Sequence, residues 1–398
     1  MHISTSNTYN TSLDSLMERQ NKLSSTQQQM TTGKRVNRAS DDPAAAARAE
    51  RALAAEQRTV ANLRGVDASN NAMSLTDTAL SDASELLQQA REAMVASGNA
   101  SYTDAERTTL ANQLSGLRQQ LLVVANRSDG SGTYLFGGQS ASQPPFSDAP
   151  GGVAYQGASG QAQAASGEPL PLTTDGASAW MTARTGNGVF ATRAVASTGT
   201  AWIGGGSVTN PSAVTGSTYL IQFGVSAGAT TYSVLKDGLP TAQTNVAFTP
   251  GQSVQVDGLS AAINGQPANG DSFELAPSSA SLSVFDTIDK AVADLKTPGR
   301  SGSQIAQTNA TNLGNLDSVL GQMLATRAQV GATLNRGDAV SGRLSALKLS
   351  SQTEQSSAAD LDMTQAISDF SNQQTGYDAA LKAYSLVQKL SLFNYLSA

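Results

Sequence analysis

Histidine and cysteine, the side chains most often used to bind metals or attack substrates, are almost missing from this sequence. Of 398 residues one is His and none is Cys. The single imidazole, His2, lies one residue from the start of the chain. Ser–His–Asp hydrolysis and His-ligated zinc both need placed imidazoles. Thiol chemistry and a disulfide framework need Cys. Carboxylates remain, but no Asp or Glu pair stands out in an apolar setting that would tune it for acid–base work. Asp360 and Asp362 lie near a helix start, where they suit the helix dipole, and no calcium-loop spacing surrounds them. Gly204–Gly206 is a glycine triplet with neither a following Lys nor a helix start, so it reads as a turn and not as a phosphate loop. The expectation is a chain that is not an enzyme, with no cofactor and no metal.

Charge and hydropathy narrow the partners. The formal net charge is −6, with no basic stripe interleaved with aromatics, which argues against nucleic acid. The opening MHISTSNTYN has neither a positive flank nor an apolar run, so no Sec-type signal is expected. No stretch approaches the roughly 18 apolar residues of a membrane span. The absence of Cys leaves the compartment open.

The spacing that does carry information is apolar. Tyr9, Leu13, Leu16, Gln20, Leu23, Gln27 and Met30 alternate by four and three near one end. Met363, Ile367, Phe370, Gln374, Tyr377, Leu381 and Tyr384 repeat the pattern near the other. Steps averaging 3.5 residues keep one stripe of a helix facing a partner helix. Gln20, Gln27 and Gln374 stand where a self-sufficient core would hold Leu. Both stripes are therefore expected to be weak alone and to pack against other molecules.

The elements that carry these stripes follow from local signals. A first helix over about 5–31 ends at Gly33, which supplies a left-handed turn. After the link 34–41, Asp42 is an N-cap with Pro43 at the first helical position. The next helix runs to about Ser97, and Val66, Met73, Leu80, Leu87 and Met94 recur along it every seven residues. Such a helix of some 55 residues is roughly 80 Å long, more than a globular core needs. Gly98 and Asn99 break it, and Thr103 with Glu106 forms a capping box for a third helix to about Arg127. On the carboxyl side Leu313, Leu316, Leu320, Met323, Arg327, Val330 and Leu334 form another seam in a helix over about 304–355. Gly331, Gly337 and Gly342 within it mark either a bend or a close approach of a neighbour. A break near 356–360 precedes a last helix over about 362–394.

Residues 131–282 differ in character: they hold only ten charged residues, three basic and seven acidic. Tyr219, Ile221 and Phe223 alternate as in a half-buried strand. Asp237–Gly238, between Thr230–Leu235 and Thr244–Phe248, reads as a hairpin turn. Trp180 and Trp202 are expected as core or rim packing there. The predicted fold is mainly α with a β-rich insert: a long antiparallel helical bundle or coiled-coil rod from both chain ends, plus a central β domain. Its expected divisions are a terminal helix and linker (1–41), one half of the rod (42–130), the β-rich domain (131–282), the other half of the rod (283–356) and a terminal helix (357–398).

The stretch TTGKRVNRASDDPAAAARAE at 31–50 resembles the amino-terminal signature of the bacterial flagellin family, matching at Gly33, Lys34, Arg35, Val36, Asn37, Asp41 and Asp42. The far end, DLDMTQAISDFSNQQTGYDAALKAYSLVQKLSLFNYL, resembles that family's carboxyl-terminal helix. The closing LSLFNYL, with TYLFGG at 133–138, is similar to the hook–filament junction branch of the family more than to flagellin itself. INGQPANGDSFELAPS at 263–278 resembles a segment in the variable β domains of hook-associated proteins. The match covers both arms.

This resemblance implies a secreted structural subunit of the extracellular flagellum, with terminal helices innermost and the β domain facing outward. It implies as partners other copies in a ring, a neighbouring hook-associated protein on the hook side and flagellin on the filament side. An export chaperone at the C-terminal helix and passage through the type III export channel follow from it too. The expected assembly surface is Tyr9, Leu13, Leu16, Leu23, Met30, Met363, Ile367, Phe370, Tyr377, Leu381, Tyr384, Leu390, Phe393 and Leu396. The rival readings are flagellin itself, or a secreted helical effector or adhesin with a surface-binding β domain.

Overall fold

The computed structural model describes residues 5–140 and 142–396, with side chains described from Tyr9 to Leu386. His2 lies outside the described residues. Seven helices form among those described: α1 Thr5–Thr32, α2 Pro43–Ser97, α3 Asp104–Ala125, α4 Gly176–Trp180, α5 Val284–Lys296, α6 Gly302–Ala359 and α7 Met363–Leu396. Every strand falls between Phe146 and Leu282, so the chain is mainly α with a β-rich insert. It divides into two compact units, Met1–Arg64 with Ser341–Ala398, and Gly65–Val340, and the division falls inside α2 and α6.

Helix ends sit where side chains satisfy the orphan backbone groups of a terminus. Gly33 takes a φ of +69° after α1. The Ala45 N–H donates to Asp42 Oδ1 at 2.9 Å at the start of α2. At the far end of α2 the buried guanidinium of Arg107 donates to the carbonyls of Ser97, Asn99 and Tyr102 at 2.5, 3.0 and 3.1 Å. The Thr103–Glu106 capping box opens α3. Helix α5, which the sequence reading did not single out, is capped by Ser283 and buries Val284, Phe285, Ile288, Ala291 and Leu295. Helix α6 is uninterrupted through Gly331, Gly337 and Gly342. Gly337 is the one that permits a close approach, since a Cβ there would collide with Asn70 Oδ1; Gly331 and Gly342 have open space. The break expected near 356–360 comes slightly later, at Asp360–Asp362.

The Gly65–Val340 unit has two apolar cores. In the first, the seven-residue stripe Met73, Leu80, Leu87 and Met94 of α2 meets Leu114 and Leu121 of α3, Phe285 and Ile288 of α5, and Leu316, Val319 and Met323 of α6. Trp180 belongs to this helical core: it stacks on Phe285 at 5.8 Å and meets Phe136 edge-on at 5.4 Å. Trp202 is half-buried.

The second core is made by the sheets. Strands run in the order Val246–Ala247, Ala229–Lys236, Tyr219–Ser226, Ser272–Pro277, Phe190–Ala196, all antiparallel. Tyr219, Ile221 and Phe223 are buried as the alternation requires. Asp237 and Gly238 have φ of 49° and 82°, the paired positive values of a tight two-residue hairpin turn. The segment directly after the turn is Leu239–Pro240, and Val246–Ala247 then returns to pair with Thr231 and Tyr232. The fully buried Asp271 accepts hydrogen bonds from the Thr198, Gly199 and Ala268 amides and the Thr198 hydroxyl, at 2.7–3.1 Å. That cage ties the loop at 198–200 to the NGD turn at 269–271.

Candidate assembly interface

Within the unit made of the two chain ends, α1 and α7 lie antiparallel. The Tyr9 and Tyr384 rings are 5.7 Å apart. Further along, the Thr26 hydroxyl donates to Gln373 Oε1 at 2.9 Å. At the near end the Leu361 N–H donates to the Gly33 carbonyl at 3.0 Å. The terminal stripes expected to face other molecules therefore pack in part against each other.

The structure divides each stripe in two. On α1 the contact line with α7 runs through Ser12, Leu16, Leu23, Thr26 and Met30, of which only Leu16 and Thr26 are buried. On α7 it runs through Ala366, Phe370, Gln373, Tyr377, Ala380 and Tyr384, of which only Ala366 is buried. The remaining predicted residues lie on an adjacent uncovered line. Leu13, Met363, Ile367 and Leu381 are 39, 44, 54 and 41% exposed, and Tyr9 is 47% exposed even beside Tyr384. Gln20, Gln27 and Gln374 fall on this outer line and are exposed as well. Met17, also exposed, lies beside this line on α1 and was missed by the sequence reading. The side chains of Leu390, Phe393 and Leu396 lie outside the described residues.

The covered line mixes Leu16, Leu23, Met30, Phe370 and Tyr377 with Ser12, Thr26, Ala366, Gln373 and Ala380, and few of these are fully buried, so the pair gains only part of what packing an apolar face gives. Further large side chains, Leu13, Ile367 and Leu381 among them, are left uncovered. Fully burying one such residue is worth about 1.5–3 kcal/mol, so a partner that covered the outer line would add to the apolar gain.

The residues Gly33–Asp42 build a joint at the base of this helix pair. Lys34 forms an isolated antiparallel bridge with Asp360. The Arg35 N–H donates to the Ala359 carbonyl at 2.8 Å, and the Val36 N–H shares that acceptor at 3.3 Å. The Arg35 guanidinium donates to the Ala358 carbonyl at 2.8 Å and to Asp42 Oδ2 at 3.1 Å. A cation on the last carbonyls of α6 is favoured by the helix dipole. Asp41 accepts from the Asn37 and Arg38 backbone N–H groups at 3.1 and 2.8 Å, and the Asn37 side-chain Nδ2 donates to the Lys34 carbonyl at 3.3 Å. The Ala45 N–H and then Arg35 hold the Asp42 carboxyl below its ordinary pKa. All seven signature residues thus sit in one structural joint.

Among the described residues no group of three His, Cys, Asp or Glu is placed to hold a metal, and no helix is long and apolar enough to cross a membrane.

Family models agree with this organisation. The bacterial flagellin N-terminal helical region matches residues 3–141, and the flagellin C-terminal helical region matches 313–396. The chain is also similar to FlgL of Xanthomonas campestris, at 30% identity, covering 77% of this chain and 99% of that one with a TM-score of 0.68. The chain belongs to the flagellin superfamily, in its hook-associated protein 3 branch. It is 26% identical to the flagellar hook-associated protein 3 of Escherichia coli K12, over 92% of this chain and 90% of that one. It is 29% identical to the flagellar junction protein FlgL of Legionella pneumophila, over 69% and 94%, with a TM-score of 0.64. These relatives are structural flagellar proteins, and this member is a structural subunit and not an enzyme. As a member of this branch it associates with other flagellar components in the extracellular flagellum.

Proposed function

We propose that this chain is the hook–filament junction subunit: a passive adaptor whose copies form a ring between the hook side and the flagellin filament. On this reading a neighbouring hook-associated protein contacts one side and flagellin the other. The terminal helices travel through the type III export channel, with a chaperone holding the C-terminal one, and complete their packing on assembly. The single observation that carries the reading is the line of uncovered large apolar residues, Leu13, Met363, Ile367 and Leu381 among them, on a helix pair whose own covered line is only partly buried and is interrupted by Thr26 and Gln373. Similarity running through the β-rich middle, where the flagellin models stop, supports the junction branch over flagellin. Deleting the gene tests it. Cells are expected to build hooks, release flagellin into the medium and grow no filaments; filaments of normal length in the deletion strain contradict the proposal.

A further inference from the structure

Two exposed helix lines of the Gly65–Val340 unit stand at one height and carry complementary side chains. On α5, Asp286, Lys290 and Ala293 are exposed, and steps of four and three put them on one face. On α2, Gln88, Glu92 and Val95 are exposed with the same steps, and Val95 keeps 52% of its surface open. Helix α3 runs antiparallel to both and fixes their heights. Arg118 of α3 meets Asp289 of α5 at 3.0 Å, and Arg127, nine residues on, meets Asp82 of α2 at 2.8 Å. Asp289 is therefore level with Arg91, nine residues beyond Asp82. At the other end of α3, Arg107 donates to the Ser97 carbonyl and Asp104 accepts from the Gly299 N–H. Those contacts give the same alignment to within one residue, a rise of about 1.5 Å. Asp286 is thus level with Gln88, Lys290 with Glu92 and Ala293 with Val95. Lys290 and Glu92 form no ion pair among the described residues, so the two lines lie on different surfaces of the unit.

We propose that the Asp286–Lys290–Ala293 line of one copy seats against the Gln88–Glu92–Val95 line of a second copy, with α5 and the neighbour's α2 parallel and level. In that register the Lys290 ammonium faces the Glu92 carboxylate, the Gln88 amide can donate to the Asp286 carboxylate, and Ala293 covers Val95. Two different surfaces meet, which is a heterologous contact. Because the lines share one height, each copy follows from the last by a rotation about an axis parallel to the helices with almost no rise. That is the condition under which a heterologous contact closes into a ring and does not climb into an open helix. Exposed charges set register and exclude wrong partners more than they add affinity, so this line fixes the level while the apolar line of the terminal helices supplies adhesion. The inference rests on the chain assembling in a ring of copies, as proposed above.

The native chain has no Cys, so introduced thiols report the contact without background. Hook–filament complexes carrying Ala293→Cys with Val95→Cys in the same chain are isolated and oxidised. A ladder of disulfide-linked multimers of this chain is expected, and none from either single variant. Assembled double-variant complexes that give no ladder, or that link this chain only to a different protein, overturn the inference. The charge pair is an independent arm that needs no thiol. Lys290→Glu, which sets like charges against each other, is expected to lower the number of filaments per cell about tenfold or more while the exported chain keeps its fold. Adding Glu92→Lys is expected to restore them. Normal filaments in the single variant, or a folded, exported double variant that stays as deficient as the single one, overturns the inference as well. The deletion strain separates the two claims: if it makes filaments, the junction reading fails; if it does not and the ladder is missing, only this contact fails.

Discussion

Gly33 has open space where a Cβ would sit, so Gly33→Ala introduces no clash and only forces an L residue to a φ of +69°. That costs about 1–2 kcal/mol. Amide exchange at Leu361, whose N–H donates to the Gly33 carbonyl, is expected to accelerate about tenfold. Unchanged exchange would show the joint to be insensitive to this turn. Asp271 is the second residue with a sharp consequence. Burial alone would raise its pKa, but the Thr198, Ala268 and Gly199 amides with the Thr198 hydroxyl outweigh it and hold the carboxyl below its ordinary value. A depressed folded pKa gives stability that is fully present above the unfolded value, about 3.9, and lost as pH falls through the folded one. Thermal melting of the β-rich region is therefore expected to be flat from neutral pH to about 5 and to fall in stronger acid. Asp271→Asn should lower its stability by about 3 kcal/mol at pH 7 and reduce that acid sensitivity, since buried donors lose a charged acceptor.

At the scale of elements, the long helices were legible because their signals are redundant. Asp42–Pro43 and Thr103–Glu106 mark starts, and Met73, Leu80, Leu87 and Met94 all end in the core. Helix α5 was missed because it is short and follows a strand directly, without the long seam that exposed its neighbours. The return after Asp237–Gly238 was only half legible: the turn residues are diagnostic, but the short strand Leu239–Pro240 has no alternating pattern to announce it. The phase of the terminal stripes was the least legible. Leu16, Leu23 and Met30 fit both an inner line through Ser12 and Thr26 and an outer one through Leu13 and Gln20, and periodicity alone does not say which the chain covers itself. Because Thr26 and Gln373 interrupt the inner line with polar groups, changing them together to Leu should strengthen the α1–α7 pair, by up to about 1.5–3 kcal/mol per well-buried side chain. Higher helical circular dichroism and slower proteolysis of the isolated subunit would register this; no change in either would show that the inner line does not limit stability.

For the whole molecule, membership in a branch of structural flagellar proteins makes packing against other proteins the property to test. Limited proteolysis of the isolated subunit should trim α1 and α7 first and leave a fragment near 45–350, since the helix pair buries few residues and the fragment holds two apolar cores. Digestion that begins inside 65–340 would reverse that ranking. The central claim is that the uncovered line on the terminal helices is what assembles the subunit. It is tested most directly by changing Leu13, Ile367 and Leu381 together to Ser and assaying filament attachment in cells. The account predicts a chain that is exported with an unchanged melting temperature for its middle unit, on hooks that stay bare while flagellin collects in the medium. Filaments of normal length and number on those hooks would contradict it.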